Sequence, residues 1–159
     1  GLLAASGTLL PSLFSQLESL PYFQLPYPKS LAREDVERDW KPLLAQALAQ
    51  HPLPDVLRTF TEHAASRVAN DLRFGAPGTA LLSGGGVHNE FFVRRLKHLA
   101  PRPLEVLDAH RSNFKEAAAF ALLAALKVRG ENNVLASVTG AQRDHSAGRL
   151  FNNSFVTKK

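Results

Sequence analysis

Apolar residues recur at helical spacing along most of the chain, and this pattern predicts a helix-rich protein. The spacing predicts helices over residues 8–20, 34–48, 55–72, 89–99 and 113–129. Two short apolar runs predict strands instead, a buried one over residues 79–83 and a second over residues 104–107. Between the first two helices, three prolines in residues 21–28 predict an extended connector, since proline fixes φ and restricts the residue before it.

Local signals refine three of these helices. Pro42 is expected to break or restart the second helix, and Asp55 is a suitable N-cap for the third. Asn89 is a suitable N-cap for the helix after the first strand. The last helix is apolar on all sides from Ala117 to Leu126, so we expect it to be buried on most sides.

The order of elements predicts an α/β fold: several helices, then strand, helix, strand and helix. The length suits one domain, with a helical part over residues 1–75, a strand–helix–strand–helix part over residues 79–130 and a loop-rich tail over residues 131–159. Two parallel strands are few for a stable sheet. We therefore expect further strands from residues before Gly1 or from a partner chain.

Three consecutive glycines, Gly84, Gly85 and Gly86, follow the first predicted strand, and a helix follows them from Asn89. Glycine lets backbone turn sharply and approach a ligand closely, and a helix start offers unpaired N–H groups. The pattern indicates either a nucleotide-binding turn or a tight strand-to-helix turn without a ligand.

Composition narrows the classes of function. The chain has 159 residues, 45% of them hydrophobic, and no run approaches the roughly 18 apolar residues of a membrane helix. It lacks cysteine, which excludes disulfides and thiolate metal sites, and its histidines lack metal-ligand spacing, so we predict no metal site. The net charge of +5 is spread among acidic residues, which favours a mixed solvated surface over a nucleic-acid interface. The start lacks both a signal-peptide pattern and Met, as expected of a chain cut from a longer one.

Several segments, in order along nearly the whole chain, resemble the motifs of one family. They are Pro28-Lys29-Ser30-Leu31-Ala32-Arg33-Glu34 with Trp40 after it, Thr59-Phe60-Thr61-Glu62, Ser83-Gly84-Gly85-Gly86-Val87-His88-Asn89, Glu116-Ala117-Ala118-Ala119-Phe120-Ala121, and the ending from Asn132 to Ala141. The chain resembles the anhydro-N-acetylmuramic acid kinase family, within the sugar kinase, Hsp70 and actin superfamily. Leu31, Ala32 and Ala136 depart from the family pattern.

The resemblance implies the C-terminal part of a ribonuclease H-like lobe in a two-lobe enzyme. Such an enzyme opens the 1,6-anhydro ring of its sugar with water and phosphorylates O6, using ATP and Mg²⁺, in the recycling of cell-wall sugars in the bacterial cytoplasm. The family's phosphate loop and its general base have no counterpart in this chain. The resemblance therefore implies that no catalytic residue lies here, that Mg²⁺ is held mainly by the other part, and that the chain alone is inactive.

The resemblance also carries over site residues. It implies that Gly84, Gly85 and Gly86 lie beside the adenosine and phosphates of ATP. Asn89 is then either a helix cap or a nucleotide contact. Glu116 faces the sugar cleft, or forms a capping box with Asn113 three residues earlier. Lys29 follows the prolines of the connector, which can hold its charged side chain toward a cleft, or it is a surface lysine.

Two other functions remain open at this stage. The chain could belong to another kinase of the superfamily that acts on a different sugar or acid, or to a non-catalytic interaction module that retains the fold. We expect the sugar and ATP as partners, with no nucleic acid and no membrane. The sequence leaves open whether the protein forms a homodimer.

Overall fold

A computed structural model describes residues 1–26, 29–75 and 77–151 of the chain. The chain divides into two compact units, Gly1–Leu107 and Asp108–Lys159. Among the predicted segments, Tyr27 and Pro28 of the connector, Ala76 and residues 152–159 of the tail lie outside the described residues. The division predicted from the sequence, at residues 75, 79 and 130, stays a prediction.

The first unit begins with short helices α1 (Leu2–Ala5), α2 (Pro11–Glu18) and α3 (Pro21–Gln24). Both α2 and α3 begin with a proline. The N–H of the first helical residue has no partner within the helix, so proline, which lacks this N–H, is tolerated there. The prediction of an extended connector over residues 21–28 is therefore wrong for its first four residues. Proline at the first position permits one helical turn there.

A helical run follows in three pieces: α4 (Arg33–Asp35), a π-helical turn (Val36–Trp40) and α5 (Lys41–Gln50). In the wider turn the Lys41 N–H bonds to the Val36 carbonyl, five residues back. Pro42, in the first turn of α5, has no N–H for the carbonyl four residues earlier, which suits a change of register here. The expectation that Pro42 restarts this helix is confirmed.

The long helix α6 (Leu53–Asp71) is the central element of the first unit. It starts at Leu53 after Pro52, so the prediction of Asp55 as N-cap is wrong. The Asp55 carboxylate instead accepts a hydrogen bond from the Thr8 N–H at 2.6 Å. Thr59, fully buried, accepts another from the Leu10 N–H at 2.9 Å. The carboxylate thus ties the segment before α2 to α6 instead of capping the helix.

Two apolar clusters form the core of this unit. The larger joins α2, the π-helical turn, α5 and α6 around Leu13, Leu17, Leu20, Trp40, Ala47 and Val56. The second joins α6, through Ala65 and Ala69, to Leu96. Leu96 lies on α7 (Glu90–Leu99), so this second cluster fixes the helix that follows the glycine turn. Side chains closely packed in this way allow little movement of either helix.

Strands β1 (Ala80–Leu82) and β2 (Leu104–Val106) pair in parallel, with Ala80 opposite Leu104 and Leu82 opposite Val106. With α7 between them they form the predicted βαβ unit, so the helix-rich α/β fold with a two-stranded parallel sheet is confirmed. The burial predicted for the first strand is wrong at its centre. Leu81 is 60% exposed, because successive side chains of a strand point to opposite faces and only one face is packed here.

The second unit contains α8 (Ala109–Val128) and the short α9 (Ala136–Thr139). Asp108 caps α8 by accepting a hydrogen bond from the Arg111 N–H at 2.9 Å. The predicted start at Asn113 and its capping box with Glu116 are therefore wrong, because a carboxylate five residues earlier already caps the helix.

The apolar middle of α8 is exposed, contrary to prediction. Phe120 is 69% exposed. The described segment that packs on α8 contacts it around Asn133, whose amide donates to the Leu123 carbonyl at 3.1 Å and to the Ala147 carbonyl at 3.3 Å. This segment covers a single side of α8, so the remaining apolar side chains stay in contact with solvent.

Candidate functional site

The glycine turn, residues 83–89, connects the end of β1 to the start of α7. Gly84 has φ of 94° and ψ of 179°, a conformation that essentially only glycine adopts. Gly85–His88 then form one 3₁₀ turn before α7 begins at Glu90. The sequence predicted the turn and the helix but not this short 3₁₀ segment. The backbone therefore takes a glycine-specific conformation at Gly84 and passes through one 3₁₀ turn into the helix.

Gly85 and Gly86 present an open backbone face. A Cβ placed on either residue would meet no described heavy atom within 4 Å outside its own chain neighbours. Neither residue has a positive φ. Packing and backbone strain therefore do not require glycine at these two positions. A group that approaches the backbone closely would require it.

Asn89 caps α7. Its side-chain oxygen accepts a hydrogen bond from the Phe92 N–H at 3.1 Å, which confirms the predicted N-cap. Glu90 lies in the first turn of α7, and Lys97 and His98 lie in the last, as the helix dipole favours. The positive end of this ten-residue helix directly follows the glycine turn. The site thus combines accessible backbone with a partial positive charge, an arrangement that suits phosphate groups.

Lys29 is held within the first unit by an aromatic pair. Its ammonium donates to the Tyr22 carbonyl at 3.1 Å and lies 4.7 Å from the centre of the Tyr22 ring. It lies 5.8 Å from the centre of the Phe23 ring. These contacts direct the side chain toward α3, and its role toward a substrate stays a prediction.

Glu116 lies on α8 of the second unit, and its side chain is exposed. The glycine turn belongs to the first unit. The role of Glu116 toward the sugar also stays a prediction.

The main polar contact that the sequence did not predict lies where α7 packs against α6. Glu62 on α6 receives two hydrogen bonds from the Arg95 guanidinium of α7, both 2.7 Å long. Arg58 lies one turn before Glu62, with its Nε 3.7 Å from the carboxylate. Their spacing of four residues along one helix is typical of a weak surface pair. The side chain of Glu62 is only 11% exposed, and its main partner is Arg95.

A second polar group that sequence reasoning missed lies on α6. His63 is 3% exposed, with its Nε2 3.1 Å from a Glu18 oxygen and its ring edge-on to Phe14 and Phe23. Burial lowers the pKa of His63, and nearby Arg67 lowers it further, while Glu18 opposes both effects. For the neighbouring Glu62, the sequence does indicate burial. Glu62 lies three and seven residues before Ala65 and Ala69, so it shares their apolar face of the helix.

Residues 1–26, 29–75 and 77–151 contain no group of three or more His, Cys, Asp or Glu side chains that could hold a metal ion. In the same ranges, no helix is both long enough and apolar enough to cross a bilayer.

Comparison with known proteins identifies the family. The family model described as anhydro-N-acetylmuramic acid kinase matches residues 1–153. The chain belongs to the anhydro-N-acetylmuramic acid kinase family. The resemblance seen in the ordered motifs is thereby confirmed, whereas the ribonuclease H-like lobe stays a prediction.

Curated relatives carry the same family name. The anhydro-N-acetylmuramic acid kinase of Variovorax paradoxus (strain S110) is 40% identical over 154 residues, which is 93% of this chain and 41% of the relative. Those of Actinobacillus pleuropneumoniae serotype 5b (strain L20) and Aliivibrio fischeri (strain ATCC 700601 / ES114) are each 35% identical, over 93% and 95% of this chain. The chain spans 42% of the length of each of these two relatives.

Proposed function

We propose that this chain forms the nucleotide-side part of an ATP-dependent kinase that acts on anhydro-N-acetylmuramic acid. The observation that carries the proposal is the open backbone of Gly85 and Gly86 at the positive end of α7. Packing does not account for these glycines, whereas close approach of a nucleotide does. Membership of a family whose name specifies the kinase supports the same assignment.

In this proposal the glycine turn lies beside the adenosine and phosphates of ATP. Unpaired N–H groups at the start of α7 favour negative charge, and the absence of side chains at Gly85 and Gly86 lets the nucleotide approach the backbone. Asn89 contributes mainly by capping α7, since its oxygen is already bonded to the Phe92 N–H. The turn therefore binds and orients the nucleotide and moves no proton.

We assign Mg²⁺ binding and the transfer step to residues other than those that the structure describes. No described cluster of carboxylates suits Mg²⁺, so the residues present do not fit a metal site by themselves. Glu116 and Lys29 remain substrate-side candidates. Phosphoryl transfer depends on positioning and charge stabilisation from all sides of the phosphate. We therefore expect the 159-residue chain alone to catalyse no transfer.

The test compares two proteins, the 159-residue chain and the product of the complete reading frame that contains it. Each is incubated with ATP, Mg²⁺ and anhydro-N-acetylmuramic acid, and the sugar is analysed by mass spectrometry for the added water and phosphate. We expect the modified sugar only from the longer protein. Transfer to a different sugar or acid in a parallel panel would identify another kinase. Absence of both transfer and ATP binding would favour a non-catalytic module.

A further inference from the structure

We propose that Glu62 is a positioning residue for nucleotide binding: it holds α7 in the orientation that keeps the glycine turn, residues 83–89, in its binding geometry. This inference rests on the proposed function of that turn. Glu62 acts only through the helix and does not touch the turn itself. Its position on α6 and its bonds to α7 suggest the role.

The first connection is direct. Both carboxylate oxygens of Glu62 accept hydrogen bonds from Arg95, one from Nε and one from a terminal nitrogen, each at 2.7 Å. Such a two-point pair fixes orientation as well as distance, because both groups are planar. The two side chains are 11% and 25% exposed, so solvent screens the pair less than it screens a surface pair. This bond also raises the pKa of Arg95.

The second connection reaches the other half of α7. Arg58 lies 3.7 Å from the same carboxylate, and its guanidinium carbon lies 5.0 Å from the centre of the Phe91 ring. A cation at this distance is attracted to the face of an aromatic ring. Phe91 is buried and follows Asn89 by two residues. Glu62 thus acts on the middle of α7 through Arg95 and on its first turn through Arg58.

The glycine turn lies between β1 and α7, and α7 packs on α6 through Leu96 and the partly buried Phe92. The strand before it, β1, is three residues long, and the buried apolar residues of α7 are Phe91 and Leu96. Apolar packing holds α7 close to α6, and the Glu62–Arg95 pair adds a planar, two-point bond that fixes the orientation of α7 about its axis. Binding that depends on oriented backbone N–H groups is sensitive to displacements of about 1 Å.

The chain offers a matched control on the same helix. Glu18 on α2 pairs with Arg67 on α6 at 3.0 Å, with side chains 34% and 25% exposed. This pair joins α6 to α2 rather than to α7. Glu18→Gln therefore weakens the partly buried contacts of α6 with Glu18, at Arg67 and His63, without touching the glycine-turn helix.

The experiment measures steady-state kinetics and melting temperature for wild type, Glu62→Gln and Glu18→Gln in the product of the complete reading frame. We expect Glu62→Gln to raise KM for ATP about tenfold, within the range by which residues that do not touch a ligand alter its binding. KM for the sugar should stay within about twofold, well below the tenfold step of 1.4 kcal/mol. Glu18→Gln should lower the melting temperature without changing KM for ATP.

The outcomes separate the two proposals. A merely structural role for Glu62 would reduce the folded fraction, which lowers apparent kcat and leaves KM for ATP unchanged, and this result overturns the inference alone. A wild type without ATP-dependent transfer overturns the proposed function and the inference together. If Glu62→Gln does not fold, Arg95→Lys replaces it: it keeps the charge but loses the planar fork, and an unchanged KM for ATP in this variant also overturns the inference.

Discussion

Alanine at two adjacent glycines should affect stability in opposite directions. Gly84→Ala and Gly85→Ala add the same methyl group to the same turn, one residue apart. Gly84 has φ of 94°, whereas Gly85 does not have a positive φ. Only the first substitution therefore forces an alanine into backbone geometry that essentially excludes it.

The structure sets the size of the difference. Gly84, with ψ of 179°, occupies a region where a non-glycine residue costs about 1–3 kcal/mol. At Gly85 the added Cβ meets no described atom within 4 Å, so the change should stabilise by about 0.4–1 kcal/mol through the lower entropy of the unfolded chain. The free energies of unfolding of the two variants should then differ by about 1.4–4 kcal/mol.

The assay is urea unfolding of the 159-residue chain and both variants, followed by far-ultraviolet circular dichroism. Fluorescence of Trp40, which is buried in the larger core cluster, serves as a second probe. The slopes of the transitions should agree, so that midpoints compare stability directly. Equal losses in the two variants would refute the backbone geometry described for the turn.

Two further predictions concern polar groups of the first unit. Asn89→Ala should lower the free energy of unfolding by about 1 kcal/mol through loss of the helix cap, whereas Asn89→Asp should leave it nearly unchanged; equal urea midpoints for the two would contradict this. Burial lowers the pKa of His63, so the unfolded chain binds a proton that the folded chain excludes. The free energy of unfolding should therefore fall as the pH falls below 6.5, by at most about 1.4 kcal/mol per pH unit. His63→Gln should remove this dependence of the free energy of unfolding on pH, whereas His98→Gln, at an exposed position, should retain it. Equal pH dependence in wild type and His63→Gln would contradict the account.

Sequence predicted the elements well because apolar spacing directly reflects helix and strand periods. It predicted the first residues of helices poorly where several capping groups lie close together. Asp55 looked like a cap, but its carboxylate bonds to the Thr8 N–H from a distant segment. Asn113 looked like another, although Asp108 caps the same helix earlier. In each case, predicting the first residue of the helix required knowing which N–H group the aspartate carboxylate bonds to.

Burial was the property that sequence conveyed least. Glu62 has an obvious partner four residues away in Arg58, but its strongest bonds reach Arg95, 33 residues along the chain. Only the packing of α6 against α7 brings these groups together. Conversely, α8 is apolar on all sides, but the described part of its unit covers only one side. A pattern along one helix does not specify which other elements pack on it.

The glycine turn could be predicted because its chemistry is local. Gly84, Gly85, Gly86 and Asn89 are neighbours in the sequence, and the strand and helix on either side fix their geometry. Lys29 and Glu116 differ in this respect, since any shared cleft depends on elements far apart in the chain. Their roles follow from family resemblance and stay predictions.

The most direct test of the account is an ATP titration of wild type and Gly85→Ala by calorimetry, in the product of the complete reading frame. Because alanine fits the folded chain at this position, any loss of affinity reports on the space that the nucleotide occupies. The account predicts that wild type binds ATP and that Gly85→Ala binds it at least about tenfold more weakly, a loss of about 1.4 kcal/mol, with a melting temperature no lower than that of wild type. Equal affinity in the two proteins would contradict a nucleotide site at the glycine turn.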